Sequence, residues 1–277
     1  MLRRIGLFTP NLKESWIMFA CVVVCGSILA LPTTLVPDVH IISTLLAYIL
    51  TLSPAFIYAY LKVRRGEYTP VHKINEPHFG KLHPAALFLL LPFTLVVFLV
   101  ATEPASALVT TPEWFDKLMK ETALGGNIYW SVITTCICAP ILEELLCRGM
   151  ILRGLKENGA SPLKAIFWSS VIFGVIHMNP WQAIPAFLIG MLLGWIYHKT
   201  GCIWTTIWLH AVNNSLSTLL YHLFPDIPAS ATIRDLIGNS QTYLAIYAIA
   251  LAVLALSYLI ISKFIGKRDD KKTVISA

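Results

Sequence analysis

Two adjacent carboxylates lie in an otherwise apolar stretch, Pro140-Ile-Leu-Glu143-Glu144-Leu-Leu-Cys147-Arg148. Ionisable side chains inside a membrane-length apolar run are costly, and so are the first candidates for chemistry. Neighbouring residues on a helix point about 100° apart, so the two acids cannot do one job. Glu144 lies four residues before Arg148, the favoured order for a helical ion pair. That pair is assigned to architecture. Glu143 has no partner on its own helix face and is the candidate base that takes a proton from water. Pro140 is expected to kink the span and free a carbonyl, opening room for water. Taken alone, the cluster could equally mark the end of a helix at the membrane surface.

Two further constellations shift that balance. One is Phe173-Gly-Val-Ile-His177, which puts a histidine in an otherwise apolar helix. The other is His210-Ala-Val-Asn213-Asn214, whose His210 and Asn214 are four apart and share a helix face. A single membrane histidine more often bridges helices than performs catalysis. A carboxylate, two imidazoles and a carboxamide on three separate helices are harder to dismiss. They offer a base, a partner that holds water, and donors for an oxyanion, the parts needed for water to attack a peptide carbonyl. No HExxH or GxSxG motif is present. Paired membrane aspartates are missing too: Asp38, Asp116, Asp226 and Asp235 fall in outer segments, Asp269 and Asp270 in the tail.

The elements that must position these residues follow from composition. The chain is 56% hydrophobic and 13% charged, with a mean hydropathy of +0.69; soluble domains carry about 25% charged residues. An all-α, polytopic membrane helical bundle is expected, with spans near 15–35, 41–62, 84–102, 128–152, 162–179, 181–198, 203–224 and 241–262. With the N-terminus placed inside, only Lys117, Lys120 and Arg234 fall in outer connections. Every other lysine and arginine falls inside, as the positive-inside bias requires, and both termini are cytoplasmic. The net charge of +6 is therefore a topology signal, and no nucleic-acid partner is expected. The six cysteines form no CxxC pair and read as buried thiols. The first apolar run is expected to remain as an uncleaved span. Trp114, Phe115, Leu118 and Met119 share one face of an outer segment that fits an interfacial amphipathic helix or an ordinary loop helix. Three regions are delimited: 1–127, membrane helices and this outer segment; 128–224, the core with the polar residues; 225–277, a last span and a basic tail.

At these motifs the chain resembles the CPBP intramembrane peptidases, which include the type II CAAX prenyl endopeptidases and the bacterial Abi proteins. The residues carrying the resemblance are Glu143-Glu144-Leu-Leu-Cys147-Arg148, Phe173-Gly-Val-Ile-His177 and His210-Ala-Val-Asn213-Asn214, in the family order, within 128–224. The resemblance implies that Glu143 and His177 activate the hydrolytic water while His210 and Asn214 stabilise the oxyanion. It also implies eight spans. The family is often labelled metalloprotease, and Glu143, His177 and His210 are of the types that bind a divalent metal such as zinc. The same groups suit a metal-free glutamate mechanism.

The expected function is therefore an intramembrane endopeptidase acting on a membrane-associated peptide or protein, surrounded by membrane lipids. The compact chain and short connections point to a bacterial inner membrane. Leader peptides, bacteriocin precursors or signalling peptides are expected substrates ahead of prenylated tails. The competing reading is a non-catalytic immunity or scaffold protein that uses the same polar residues to hold helices together.

Overall fold

The computed structural model describes residues 5–34, 40–66, 68–106, 108–109, 111–124, 128–224, 226–228 and 231–265. Those residues form helices and connections, with no strand among them. The predicted Arg3, Arg4 and basic tail of the inner set lie outside the described residues, as does the side chain of Met119.

Ten helical elements are described among those residues. α1 is a continuous path through Leu12–Ala20, Cys21–Gly26 and Ser27–Thr34. α2 is His40–Arg65, α3 Pro84–Ser106 and α4 Glu113–Leu124. α5 passes through Ile128–Val132, Ile133–Cys138, Ala139–Glu144, Leu145–Leu152 and Arg153–Glu157. α6 is Pro162–Val175, α7 Pro180–Thr200, α8 Ile203–Leu223, α9 Ile233–Ile237 and α10 Ser240–Ile265. Each of the eight expected runs falls on a helix, and five of them are long and apolar enough to cross a membrane.

Local chemistry sets several boundaries. Asn11 accepts from the Glu14 amide at 3.0 Å while Glu14 accepts from the Asn11 amide at 3.2 Å, which closes the start of α1. Asn179 caps α7 ahead of Pro180, and Gly201 ends it at φ +60°, a conformation that costs glycine little. Pro140, expected to kink α5, lies in a helical path that continues through it. Wider π-helical turns at Ile133–Cys138 and Leu145–Leu152 bracket the short Ala139–Glu144 segment, and Pro140 is its second residue. Its missing amide thus falls where one turn type gives way to the other.

The long helices alternate in direction. At one end of the bundle, Arg153 donates to the carbonyls of Gly6, Phe8 and His72. There too the Glu76 and His78 amides donate to Gly201 and Thr200, and the Lys81 amide to Phe264. At the other end, Trp114 and Phe115 of α4 pack on Trp181 at the start of α7, at 5.4 and 4.7 Å between ring centres. Glu103 there accepts from the Ile233 amide and the Tyr243 hydroxyl. The first end gathers the lysine- and arginine-rich connections. Within α4, Phe115 is buried, whereas Trp114 and Leu118 are exposed.

Among the described residues, five helical stretches are long and apolar enough to cross a membrane: Leu12–Thr33, Thr44–Arg65, Pro84–Ala105, Pro180–Thr200 and Ser240–Ile265. Exposed leucines and isoleucines such as Ile28, Leu89, Ile249 and Leu259 stud these helices. So large an apolar surface is unfavourable in water and suits lipid contact. α5, α6 and α8, which carry the candidate polar residues, are the long helices outside that set. α6 is short, α5 is cut into short segments, and α8 holds His210, Asn213 and Asn214. Polar groups at membrane depth are tolerated where protein encloses them.

Candidate active site

Arg148 is fully buried, and so is Glu144 one turn before it. Its NH1 donates to Glu144 Oε1 at 2.7 Å and its NH2 to the Gly190 carbonyl at 3.0 Å. The guanidinium carbon lies 4.4 Å from the centre of the Phe173 ring, a cation–π contact. The expected helical ion pair thus forms and reaches beyond its own helix. Gly190 allows this approach: a Cβ there would stand 3.0 Å from Ser170 Cβ and 3.2 Å from Phe173 Cδ1. α7 therefore lies close on α6, with the Gly190 carbonyl within reach of α5.

Glu144 does more than pair with Arg148. Its Oε1 also meets His210 Nδ1 at 3.0 Å, a bond from α5 to α8. A carboxylate can only accept, so the Nδ1 proton points at Glu144 and Nε2 points away. His210 Nε2 then lies 3.7 Å from Glu143 Oε2, too long for a direct hydrogen bond and suited to a bridging molecule. Glu143 and His210 are both buried, at 8% and 5% exposure. The two adjacent glutamates thus meet the same imidazole at its two nitrogens.

The other Glu143 oxygen is taken by a residue that sequence reasoning missed. Tyr48 of α2 donates its hydroxyl to Glu143 Oε1 at 2.5 Å, from 95 positions earlier in the chain. A tyrosine in an apolar helix carries no local signal of such a role, because sequence periodicity gives a helix face but not the partner it meets.

His177 lies outside the helix in which it was expected. α6 ends at Val175, and His177 and Met178 form the turn that follows, their amides donating to Gly174 and Val175. Met178 has φ +58°, uncommon for a residue with a side chain. The reason is Asn179: to cap α7 it must be extended, and its Nδ2 also donates to the His177 carbonyl at 2.7 Å. His177 Nδ1 donates to the Phe173 carbonyl at 2.9 Å, so in the neutral ring Nε2 has no proton. Phe173 stands edge-to-face with both histidines, 5.5 Å from each ring centre. The Phe173 ring thus joins His177, His210 and Arg148 in one cluster.

Asn214 is one turn beyond His210, as predicted. Its Nδ2 donates to the Thr135 carbonyl at 2.8 Å, in the π-helical segment of α5. Its Oδ1 accepts from Asn213 at 3.1 Å, so Asn213, outside the motif register, orients the amide. The structure therefore brings Glu143, Glu144, Arg148 and His210 into direct contact. His177 joins through Phe173, and Asn214 through the backbone of α5.

The metal reading is tested by the donor arrangement. Among the described residues no three His, Cys, Asp or Glu side chains group closely enough to hold a metal ion. One nitrogen of His210 already faces Glu144 and one oxygen of Glu143 holds Tyr48. Glu143, His177 and His210 do not form a three-ligand set in this arrangement.

The family comparison falls on the same region. Residues 125–216 match the family model described as type II CAAX prenyl endopeptidase Rce1-like. YdiL of Bacillus subtilis (strain 168), itself a candidate membrane peptidase, is 29% identical over 89 residues, 32% of this chain and 36% of that protein. No solved structure matches. The matched stretch takes in Glu143, Glu144, Arg148, Phe173, His177, His210 and Asn214, and over it the chain is similar to the type II CAAX prenyl endopeptidases.

Proposed function

We propose that this protein hydrolyses a peptide bond of a membrane-associated peptide or protein, with Glu143 as the general base. The observation that supports this most is the setting of Glu143, a buried carboxylate held by Tyr48 on one oxygen and facing His210 with the other. Oε2 is the oxygen that takes the proton of the attacking water, which lies to one side of the Oε2 and His210 Nε2 pair. The water oxygen bonds to the peptide carbonyl carbon, and the displaced charge gathers on the carbonyl oxygen. With a second proton taken up from solvent on Nε2 and returned when the product leaves, His210 would give one N–H to Glu144 and the other to that oxyanion. The Asn214 amide, held by Thr135, is a second donor. His177, with Nε2 free of a proton, helps to hold the water. As the C–N bond breaks, Glu143 passes its proton to the leaving nitrogen, giving a carboxylic acid and an amine.

Each part draws on an ordinary catalytic increment. A positioned general base supplies about 10²–10⁴-fold, and oxyanion donors about 10²–10³-fold. Glu144 and Arg148 act as positioning residues, fixing which nitrogen His210 presents. In the reading we favour, all eight long helices cross a bacterial inner membrane with both termini in the cytoplasm. The core is 128–224, helped by Tyr48 from the N-terminal region, and the candidate substrates are leader, bacteriocin-precursor or signalling peptides.

The test compares membranes from cells carrying wild type, Glu143→Ala, His177→Ala or His210→Ala at matched expression. Peptides are profiled by mass spectrometry. A product lost in all three variants supports the peptidase and identifies its substrate. If no peptide depends on them, the same polar network serves a scaffold or immunity protein.

A further inference from the structure

A second polar site lies at the basic end of the bundle, roughly 15 Å along α5 from Glu143 at 1.5 Å per residue. It is a small, partly open cleft between the end of α5, the end of α7 and the connection before α3. Lys73, Arg153, Lys156, His72, His198 and Glu157 supply its polar lining. Three of these carry fixed positive charge and one carries negative charge. The Glu157 carboxylate is turned to the loop, accepting from the amides of Val71 and His72 at 3.3 and 3.1 Å. Glu76 faces His72 at 2.9 Å.

Arg153 is the anomaly. It is 3% exposed, and its two terminal nitrogens hold the carbonyls of His72, Gly6 and Phe8 at 2.7–2.9 Å. Its Nε has no partner among the described residues. A buried donor left unmatched is costly. Burial also pushes the guanidinium below its ordinary range, the response of a cation held away from water. Beside it, Lys156 donates to His198 Nδ1 at 3.1 Å, which leaves the His198 proton on Nε2. Excess positive charge, an orphaned buried N–H and a cleft at the edge of the apolar helices make one set. Basic pockets between helices in this position suit a phosphate group.

We propose that this cleft binds phosphate, carried by the headgroup of an anionic phospholipid or free in solution. The ligand would join the N-terminal segment, the connection before α3 and the end of α5, the three pieces Arg153 already ties. The proposal does not depend on whether the Glu143 site hydrolyses peptides.

The test uses the purified full chain, titrated with phosphatidylglycerol or phosphatidylcholine of identical acyl chains and read by native mass spectrometry. Phosphatidylglycerol is expected to bind more tightly. Replacing the exposed Lys73 (Lys73→Gln) should weaken that lipid about fivefold, and Lys73→Gln with Lys156→Gln about thirtyfold. Phosphatidylcholine binding and the melting temperature should not change. Arg153 is left intact because it also holds three carbonyls. Displacement of phosphatidylglycerol by millimolar inorganic phosphate would identify a site for phosphate itself, and retained binding would identify the lipid headgroup. Equal binding of the two lipids, or an undiminished preference in Lys73→Gln, would overturn the proposal.

Discussion

Replacing Arg148 by methionine should unfold this protein more readily than any other single truncation at the site, and a second substitution should undo the damage. Arg148→Met removes the bonds to Glu144 and Gly190 and the cation over Phe173. It leaves Glu144 as a fully buried carboxylate whose remaining partner is His210. Breaking a buried pair in this way costs about 3–5 kcal/mol, whereas replacing both partners by apolar groups is often neutral. Thermal unfolding in detergent should fall by about 10 °C in Arg148→Met. It should return to near the wild-type value in Glu144→Leu/Arg148→Met and in Glu144→Gln/Arg148→Met. The two double variants then separate packing from positioning. Glutamine still offers an oxygen to His210 Nδ1 and leucine does not. Lost outer partners of a catalytic imidazole typically cost 10–100-fold, so the leucine double variant should be folded and that much slower than the glutamine one. Melting of Arg148→Met within about 2 °C of wild type would refute the reasoning on the ion pair. Equal turnover in the two double variants would refute the positioning of His210.

Other outcomes follow from single contacts. Tyr48→Phe keeps the ring and removes the bond to Glu143; a hydrogen bond to a charged group is worth about 1.5–3 kcal/mol. Product formation should fall roughly ten- to a hundredfold, with melting nearly unchanged. Gly190→Ala sets a methyl against Ser170 and Phe173; overpacking of about 1–3 kcal/mol should appear as a lower melting temperature. Asp235 of the exposed α9 has its carboxyl held below the ordinary range, first by the Thr232 amide and then by its hydroxyl. Its capping contribution should be complete above the ordinary carboxylate range and fade as pH falls through the lowered value. Amide exchange at residues 232–237 would show that fading.

The Glu144–Arg148 ion pair was legible in the sequence because its i,i+4 spacing is a local signal, and it left Glu143 as the acid without a partner on its own helix. The eight helical runs were legible for a similar reason, since apolar length and the placement of lysine and arginine act locally. Contacts between helices were not. Tyr48 looks like any interfacial aromatic until α2 is laid against α5, and the second role of Glu144 appears only once His210 arrives from α8. His177 was placed in a helix because Asn179-Pro180 marks the start of α7 but not how early α6 must stop. The cap needs extended backbone at Asn179, which pushes the turn back to His177 and Met178. The π-helical segments around Glu143 have no sequence signature at all, for they express how α5 fits its neighbours.

The central claim is that one buried carboxylate, Glu143, makes water the nucleophile. The most direct measurement takes the purified protein in lipid bilayers with the peptide identified in cell membranes, comparing wild type with Glu143→Gln. Glutamine preserves shape and can still accept from Tyr48, but it cannot take a proton from water. The account predicts cleavage by wild type and a loss of at least about a hundredfold in Glu143→Gln, at an unchanged melting temperature. Cleavage by Glu143→Gln at the wild-type rate would contradict it.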